Sequence, residues 1–543
     1  MPKPPSSKKI VAAPVSLSET SLDWALEHIE TYGDTDLFPV PFEYAAIRRT
    51  WKNQGGVREW LLAQDIQKWE CRARRRCLVP KHRFGFRIST QLDPLDTLVY
   101  TALVYDLGRD IERQRIPITK KAVHSYRFLP GQAGQFYDPH YGWESFRKHS
   151  LEQIRTGDFG AVVVADIADF FPRVYAHPLE NALSTCTQTR RRKAKAIQSI
   201  LKQWNQTISY GLPVGPSASR LLSELALTIV DDRLADEGIP FCRFSDDYRM
   251  FCKDERTAYD RLALLAQILF DGLGLTLQQQ KTRILNRQQA FEYFMTPRRK
   301  ERARLSAEFA SILDNLGLTD RYRKLDYDSL APDVKAQVNA LNLEQVLEEQ
   351  IDLGESIDVL LASFVLNRLT QLQNKKPLAR VMASLDVLYP VFKDVVGYVS
   401  SVAINLHFSK RKALGKQLLD LLDDAIPGHL EYHRCWILNV FAESGKWDNE
   451  EALASVKPQA WGDDFSRREL ILARGRAKHK TWFKSEKLRI DNLAPWDRRA
   501  FLYAASCLPG DEAEHWWNGL KRAGKLDPLE GAVVAYARQD PIT

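Results

Sequence analysis

The spacing of apolar positions changes along the chain, and the changes divide it. From Ser21 the period is helical, with Leu22, Ala25, Leu26 and Ile29 at i, i+3, i+4 and i+7 and a stop at Gly33. A second helical stripe begins near Asp93 and carries Leu95, Leu98, Val99, Ala102, Leu103 and Leu107. Between 160 and 285 two periods alternate. Ala161-Val162-Val163-Val164-Ala165 is a continuous apolar run closed by Asp166, the pattern of a strand buried on both faces. Residues 178–204 predict a helix, and Tyr210 to Pro216 a turn-rich loop. Ser217 or Ser219 then caps a helix with Leu221, Leu222, Leu225, Ile229, Val230 and Leu234 inward, stopped by Gly238. Phe241 to Cys252 predicts a hairpin with Asp246 and Asp247 at its turn. A helix from Arg256 to Phe270 and a last strand from Leu275 to Leu285 complete the block.

The order β, α, β, β, α, β is the ferredoxin-like split arrangement, in which the first strand lies centrally beside the hairpin. Asp166 thereby approaches two acids about 80 residues further along the chain. From about residue 300 strand signals vanish. Helix-period segments recur at 331–350, 355–373, 379–404, 409–424, 428–444, 464–479, 494–508 and 526–537, which predicts stacked helical hairpins in a solenoid or bundle. The fold class is α/β followed by all-α: a mobile tail over 1–20, a mixed domain over 21–300 and a helical domain over 301–543.

Composition narrows the picture modestly. A chain of 543 residues exceeds what one core serves. The excess of 77 Lys and Arg over 69 Asp and Glu, a formal charge of +8, permits a polyanionic partner. Seven cysteines without a C-x-x-C pair argue against a disulfide framework or zinc site and for a reducing cytoplasm. No apolar run reaches membrane-spanning length, so no membrane partner is expected. Seven of the thirteen tryptophans lie at or after Trp436, which is read as packing between helices, with a nucleic-acid stacking surface as the alternative.

The chemistry rests on acids. Asp-Asp at a turn sets like charges side by side without the Gly that such turns favour, and gains nothing locally. Hard cations such as Mg²⁺ relieve that repulsion. A solvated turn and a metal ligand set are both open on the pair alone; a third carboxylate at Asp166 points to the second. Upstream, Pro80-Lys81-His82-Arg83-Phe84-Gly85-Phe86-Arg87-Ile88 predicts a hairpin with cations at its tip, and Arg127 lies in a Gly-rich loop.

These residues resemble the palm and fingers of a reverse transcriptase. Asp166-Ile167-Ala168-Asp169-Phe170-Phe171 is similar to motif A, Gly211 to Ser219 to motif B, and Phe244-Ser245-Asp246-Asp247 to the Tyr-x-Asp-Asp box. Leu275 to Thr282 with Lys281 resembles motif D, Phe291 to Phe294 the primer grip, and Pro80 to Ile88 the fingers motifs. The resemblance implies Asp166, Asp246 and Asp247 as catalytic metal ligands for two Mg²⁺ ions, or Mn²⁺ in their place. It implies nucleotide contacts from Lys81, Arg87, Asp169, Phe171, Val214 and Lys281, with Arg127 a further candidate. Phe171 occupies the steric-gate position that rejects a ribose 2′-OH.

Val214 stands where templated members often carry a nucleotide-contacting Gln. That change and the helical second half look like the abortive-infection (AbiK-like) and unknown-group defence-associated reverse transcriptases, whose HEAT-like repeat domain Trp496 to Trp516 resembles at its end. This implies phage defence by untemplated, protein-primed synthesis from dNTPs, DNA attached covalently to the protein, and a homo-oligomer. Hydroxyls for priming are offered by Tyr389, Tyr398, Tyr432, Tyr503 and Tyr536. A templated enzyme with a bound non-coding RNA and a non-catalytic scaffold stay open as alternatives.

Overall fold

The computed structural model describes residues 13–542 apart from 83, 187–189, 207, 296, 317–324, 326, 425 and 458–463. Residues 1–12 of the expected tail lie outside the described residues. From Val15 onward the chain is anchored: the Val15 N–H donates to Asp65 Oδ1 at 3.0 Å, its carbonyl accepts from Ile66, and Val15 and Leu17 are buried. The chain forms two compact units that are not separated by a single cut. One comprises Met1–Asp34, Thr50–Arg74 and Leu92–Arg287; the other comprises Thr35–Arg49, Arg75–Gln91 and Gln288–Thr543. No helix among the described residues is long and apolar enough to cross a membrane.

Six strands are present among the described residues: β1 Arg75–His82, β2 Gly85–Gln91, β3 Ala161–Asp166, β4 Phe241–Phe244, β5 Asp247–Cys252 and β6 Arg283–Asn286. In the first unit the strand order is β4-β5-β3-β6, with every neighbouring pair antiparallel. This is the expected split arrangement, with β3 central and all six of its residues buried. Helix Glu255–Leu273 packs on β3, β5 and β6 and ends at Gly274, whose φ of +65° suits a residue without Cβ. Helix Pro94–Gln114 is capped by Asp93, whose carboxylate accepts from the Leu95 N–H at 3.1 Å, and carries Pro94 in its first turn. It packs against helices Glu19–Tyr32 and Ser217–Ala226.

Several expected elements are shorter or broken. The helix of 178–204 is two, Ala176–Cys186 and Arg191–Asn205. Neither serine caps the helix after motif B. Ser217 is its first residue, Pro216 occupies the cap, and the helix breaks at Leu227 before resuming as Thr228–Asp236. The break shifts the apolar register, so Ile229, expected inward, is exposed. The last strand begins only at Arg283; Leu277 makes an isolated bridge to Ile167, and Lys281 lies in a 3₁₀ turn, Gln279–Lys281.

The second unit is largely helical. Helices Val359–Gln371, Phe392–Ala403, Glu431–Glu443, Asp464–Arg476, Pro495–Ala504 and Pro528–Gln539 form a row in which each packs on the next. The approach of two of them is close: a Cβ on Gly475 would meet Ala504 Cβ at 2.7 Å. Trp447, Trp496 and Trp517 are buried, and Trp436, Trp482 and Trp516 pack against the core, as expected of packing residues. The hairpin β1–β2 belongs here because its inner face, Cys77 and Val79, packs with Tyr432, Cys435 and Phe465. Arg75 joins it, its guanidinium 4.1 Å from the Phe465 ring and 3.8 Å from the Trp496 ring. Segment Thr35–Arg49 joins through Glu43, which is fully buried and accepts from Arg468 at 2.7 Å and Arg499 at 3.1 Å.

Candidate active site

The acids of the first unit converge through strand register. Asp166, the last residue of β3, lies directly opposite Asp247, the first residue of β5. Phe244 pairs with Asp247, so the two-residue turn is Ser245-Asp246 rather than the expected Asp246-Asp247. The reason is conformational: the turn needs one left-handed residue, and Ser245 supplies it with a φ of +52°. Asp247 therefore keeps strand geometry. The Asp246 carbonyl accepts from the Ile167 N–H at 3.1 Å, and the Asp166 carbonyl from the Gln278 N–H at 2.7 Å, which ties the three acids to motif D.

Mutual repulsion marks the site. Burial, then the charge of Asp166, raises the Asp246 carboxyl above its ordinary range. Burial together with Asp246 and Asp166 pushes Asp247 up to about 7. Lys281 is the nearby cation, with Nζ 2.8 Å from Asp166 Oδ2 and a side chain 61% exposed. Burial pulls the Lys281 ammonium down, but its bond to Asp166 and the acids' charges outweigh that and raise it. Among the described residues no three acid, histidine or cysteine side chains stand ready-clustered for one ion. The donor set nonetheless fits a hard divalent cation: oxygen ligands only, like charges brought together by backbone, and one oxygen of Asp166 already held by a cation.

The other expected residues separate into groups. Phe170 is buried while Phe171 is half-buried, their rings 5.4 Å apart and edge to face. The Phe171 carbonyl accepts from Leu212, which joins motif A to motif B. Asp169 is exposed at a φ of +45° and precedes the short helix Phe170–Arg173. Val214 is half-buried between Gly211 and Gly215, whose φ values of +108° and +135° demand glycine. Lys81 and Arg87 are on the hairpin of the other unit. Lys81 sits at a register shift in β1 and is exposed; Arg87 pairs with Val79.

Arg127 is a correction. It is buried and spent on structure, donating to Glu112 Oε1 at 2.9 Å and to the carbonyls of Ile116 and Val123. Neighbouring it is a buried set that sequence reasoning missed: Arg115, Glu224, Asp231 and Arg243. The available signal was an acid, Glu224, on the inward stripe of a helix beside Leu221 and Leu225.

Residues 111–295 match the family described as reverse transcriptase (RNA-dependent DNA polymerase). No curated protein sequence matches the chain. Among solved structures, the telomerase of Candida albicans in complex with a fragment of telomeric RNA is 10% identical at a TM-score of 0.31, covering 78% of this chain and 70% of that one. The apo telomerase of Candida tropicalis is 10% identical at a TM-score of 0.31, covering 74% and 72%. At that similarity neither bears on the assignment. Residues 111–295 match a reverse transcriptase domain, which gives this segment the nucleotidyltransferase activity of an RNA-directed DNA polymerase.

Proposed function

We propose that the chain joins dNTPs into DNA at a divalent-cation site built from Asp166, Asp246 and Asp247. The observation that carries this reading is the register that sets Asp166 opposite Asp247 with Asp246 in the adjoining turn. Mg²⁺ held by these carboxylates would supply Lewis-acid activation of the attacking oxygen and stabilise the leaving pyrophosphate. The remaining tasks fall to the chain's own side chains. Lys281, more than half exposed and paired with Asp166, would supply positive charge to the triphosphate. Asp169 lies beside the incoming nucleotide. Phe171 bars a ribose 2′-OH, the group that tells RNA precursors from DNA ones.

The finer reading is untemplated, protein-primed synthesis by a homo-oligomer in antiphage defence. Its support is Val214, which has no amide to read a nucleotide, and a row of helices of the kind expected of HEAT-like repeats. Of the five tyrosines considered for priming, Tyr398, Tyr432 and Tyr503 are buried. Tyr389 and Tyr536 are half-buried, and the Tyr536 hydroxyl donates to Asp540 Oδ2 at 2.8 Å, so these two are the better candidates.

The test is incubation of nuclease-treated protein with Mg²⁺ and labelled dNTPs, followed by a denaturing protein gel. Label that migrates with the protein is the expected result. Free product that requires added RNA would favour a templated enzyme, and no incorporation by any route a scaffold.

A further inference from the structure

Under the aspartate turn lies a group of buried charges that nucleotide chemistry leaves unused. Arg243, three residues before Asp246, is fully buried. Its Nε donates to Asp231 Oδ1 at 2.8 Å and its Nη2 to Asp231 Oδ2 at 2.5 Å. The same Nη2 is 3.0 Å from Glu224 Oε2, and Nη1 donates to the Ser245 carbonyl at 3.0 Å. Glu224 Oε2 also accepts from Arg115 Nη2 at 2.7 Å, and its Oε1 accepts from Ser125 Oγ at 2.6 Å. Arg115 in turn donates to the Tyr126 carbonyl at 2.8 Å.

The two end points of this network are alike. Ser245 and Tyr126 are both non-glycine residues in the left-handed region, at φ values of +52° and +45°. Such residues persist where their surroundings over-determine them. Their neighbourhoods also meet, with the Tyr126 ring 5.7 Å from the ring of Phe244. Buried ion networks add little net stability over apolar packing of equal volume, yet they fix one geometry because each partner left unpaired is costly. Here the fixed geometry is that of the turn bearing Asp246.

We propose that Arg243, clamped by Asp231 and Glu224, is a positioning residue for the divalent-cation site: by holding the Ser245 carbonyl it sets the left-handed turn that presents Asp246. The proposal rests on the reading of Asp166, Asp246 and Asp247 as ligands. Arg243 touches neither nucleotide nor ion. Lysine in its place keeps the charge but has no planar fork with which to hold both Asp231 oxygens and a carbonyl together. Glycine at Ser245 adopts a positive φ without steric cost and so relieves the need for the clamp.

The experiment measures Mn²⁺ affinity of the full chain by electron paramagnetic resonance, beside the Mg²⁺ midpoint and dNTP KM of incorporation and the thermal unfolding midpoint. Arg243→Lys should weaken Mn²⁺ binding about tenfold or more, as outer-shell changes do, and raise the Mg²⁺ midpoint in step, with dNTP KM at saturating Mg²⁺ unchanged. Adding Ser245→Gly should restore most of the metal affinity without restoring the unfolding midpoint. Unchanged Mn²⁺ affinity in Arg243→Lys, or no recovery in the double variant, overturns the proposal. Should Arg243→Lys not fold, Asp231→Asn loosens the clamp while keeping Arg243; a weaker Mn²⁺ site supports the proposal and an unchanged one overturns it. Asp246→Asn separates the two readings: if it leaves Mn²⁺ binding intact, the ligand assignment fails, whereas lost binding there beside an unaffected Arg243→Lys removes only the positioning role.

Discussion

At the scale of single residues, the site makes two sharp demands. Asp246→Asn removes a charge while keeping shape, so incorporation should fall by about 10²–10³-fold or more, the size lost when one electrostatic contact at a reacting centre is deleted. The fold should be unaffected, which circular dichroism checks. Phe171→Ala opens the space beside the sugar, and discrimination between dNTPs and NTPs in a paired incorporation assay should shrink by roughly tenfold or more. Unchanged sugar selectivity would remove Phe171 from that role, leaving its ring as packing on Phe170. These residues were legible because the chemistry dictates residue type at short, ordered spacings. Arg243 was not legible, since its partners Glu224 and Asp231 sit on two successive helices, Ser217–Ala226 and Thr228–Asp236, whose apolar stripe is all that sequence periodicity reports. Arg127 was misread for the same reason: its carboxylate, Glu112, is 15 residues away and reached only through the fold. A cation in a Gly-rich loop looks the same whether it faces a triphosphate or a buried acid.

At the scale of elements, periodicity found the sheet order but not every boundary. The β3 run was unambiguous because all six residues are buried, whereas β6 is a four-residue strand with no buried residue and so carries little pattern. The larger surprise is the grouping of β1–β2 and Thr35–Arg49 with the helical unit. Local sequence reads as fingers, but Arg75 and Glu43 are held by residues some 400 positions away. That grouping predicts where stability resides. Glu43→Ala takes a buried carboxylate from both Arg468 and Arg499, leaving Arg468 its second acid, Glu469, and should cost about 3–5 kcal/mol in urea unfolding. Glu19→Ala, which removes an ion pair to Arg58 from a side chain 71% exposed, should cost about 0–1 kcal/mol. Equal losses from the two would contradict the view that the buried acid ties Thr35–Arg49 into its unit.

At the scale of the whole molecule, proton linkage sets groups of opposite sign against each other in one pH window. His28 is buried, with Nδ1 donating to the Gly134 carbonyl at 2.7 Å, and burial holds its imidazole down at about 4. The unfolded chain binds that proton from about pH 6.5 and the folded chain only near 4, so this group's contribution to stability is lost as pH falls through the window. Asp96 is also buried, accepting from the Trp69 indole at 2.9 Å and the Arg72 N–H at 2.9 Å. Burial and then the charge of Asp93 push it up to about 7. Its contribution is fully present below the ordinary carboxyl range and is lost as pH rises toward 7. Both groups are in the first unit, and each masks the slope of the other in the parent protein. Single variants should expose them. The stability of His28→Phe relative to the parent should improve by about 3 kcal/mol as pH falls from 7 to 4, since each pKa unit is worth about 1.4 kcal/mol. That of Asp96→Asn should improve as pH rises from 4 to 8. Thermal unfolding of the three proteins across this range decides the matter: difference curves of the same sign, or flat ones, would mean that burial does not hold the two side chains in their uncharged forms.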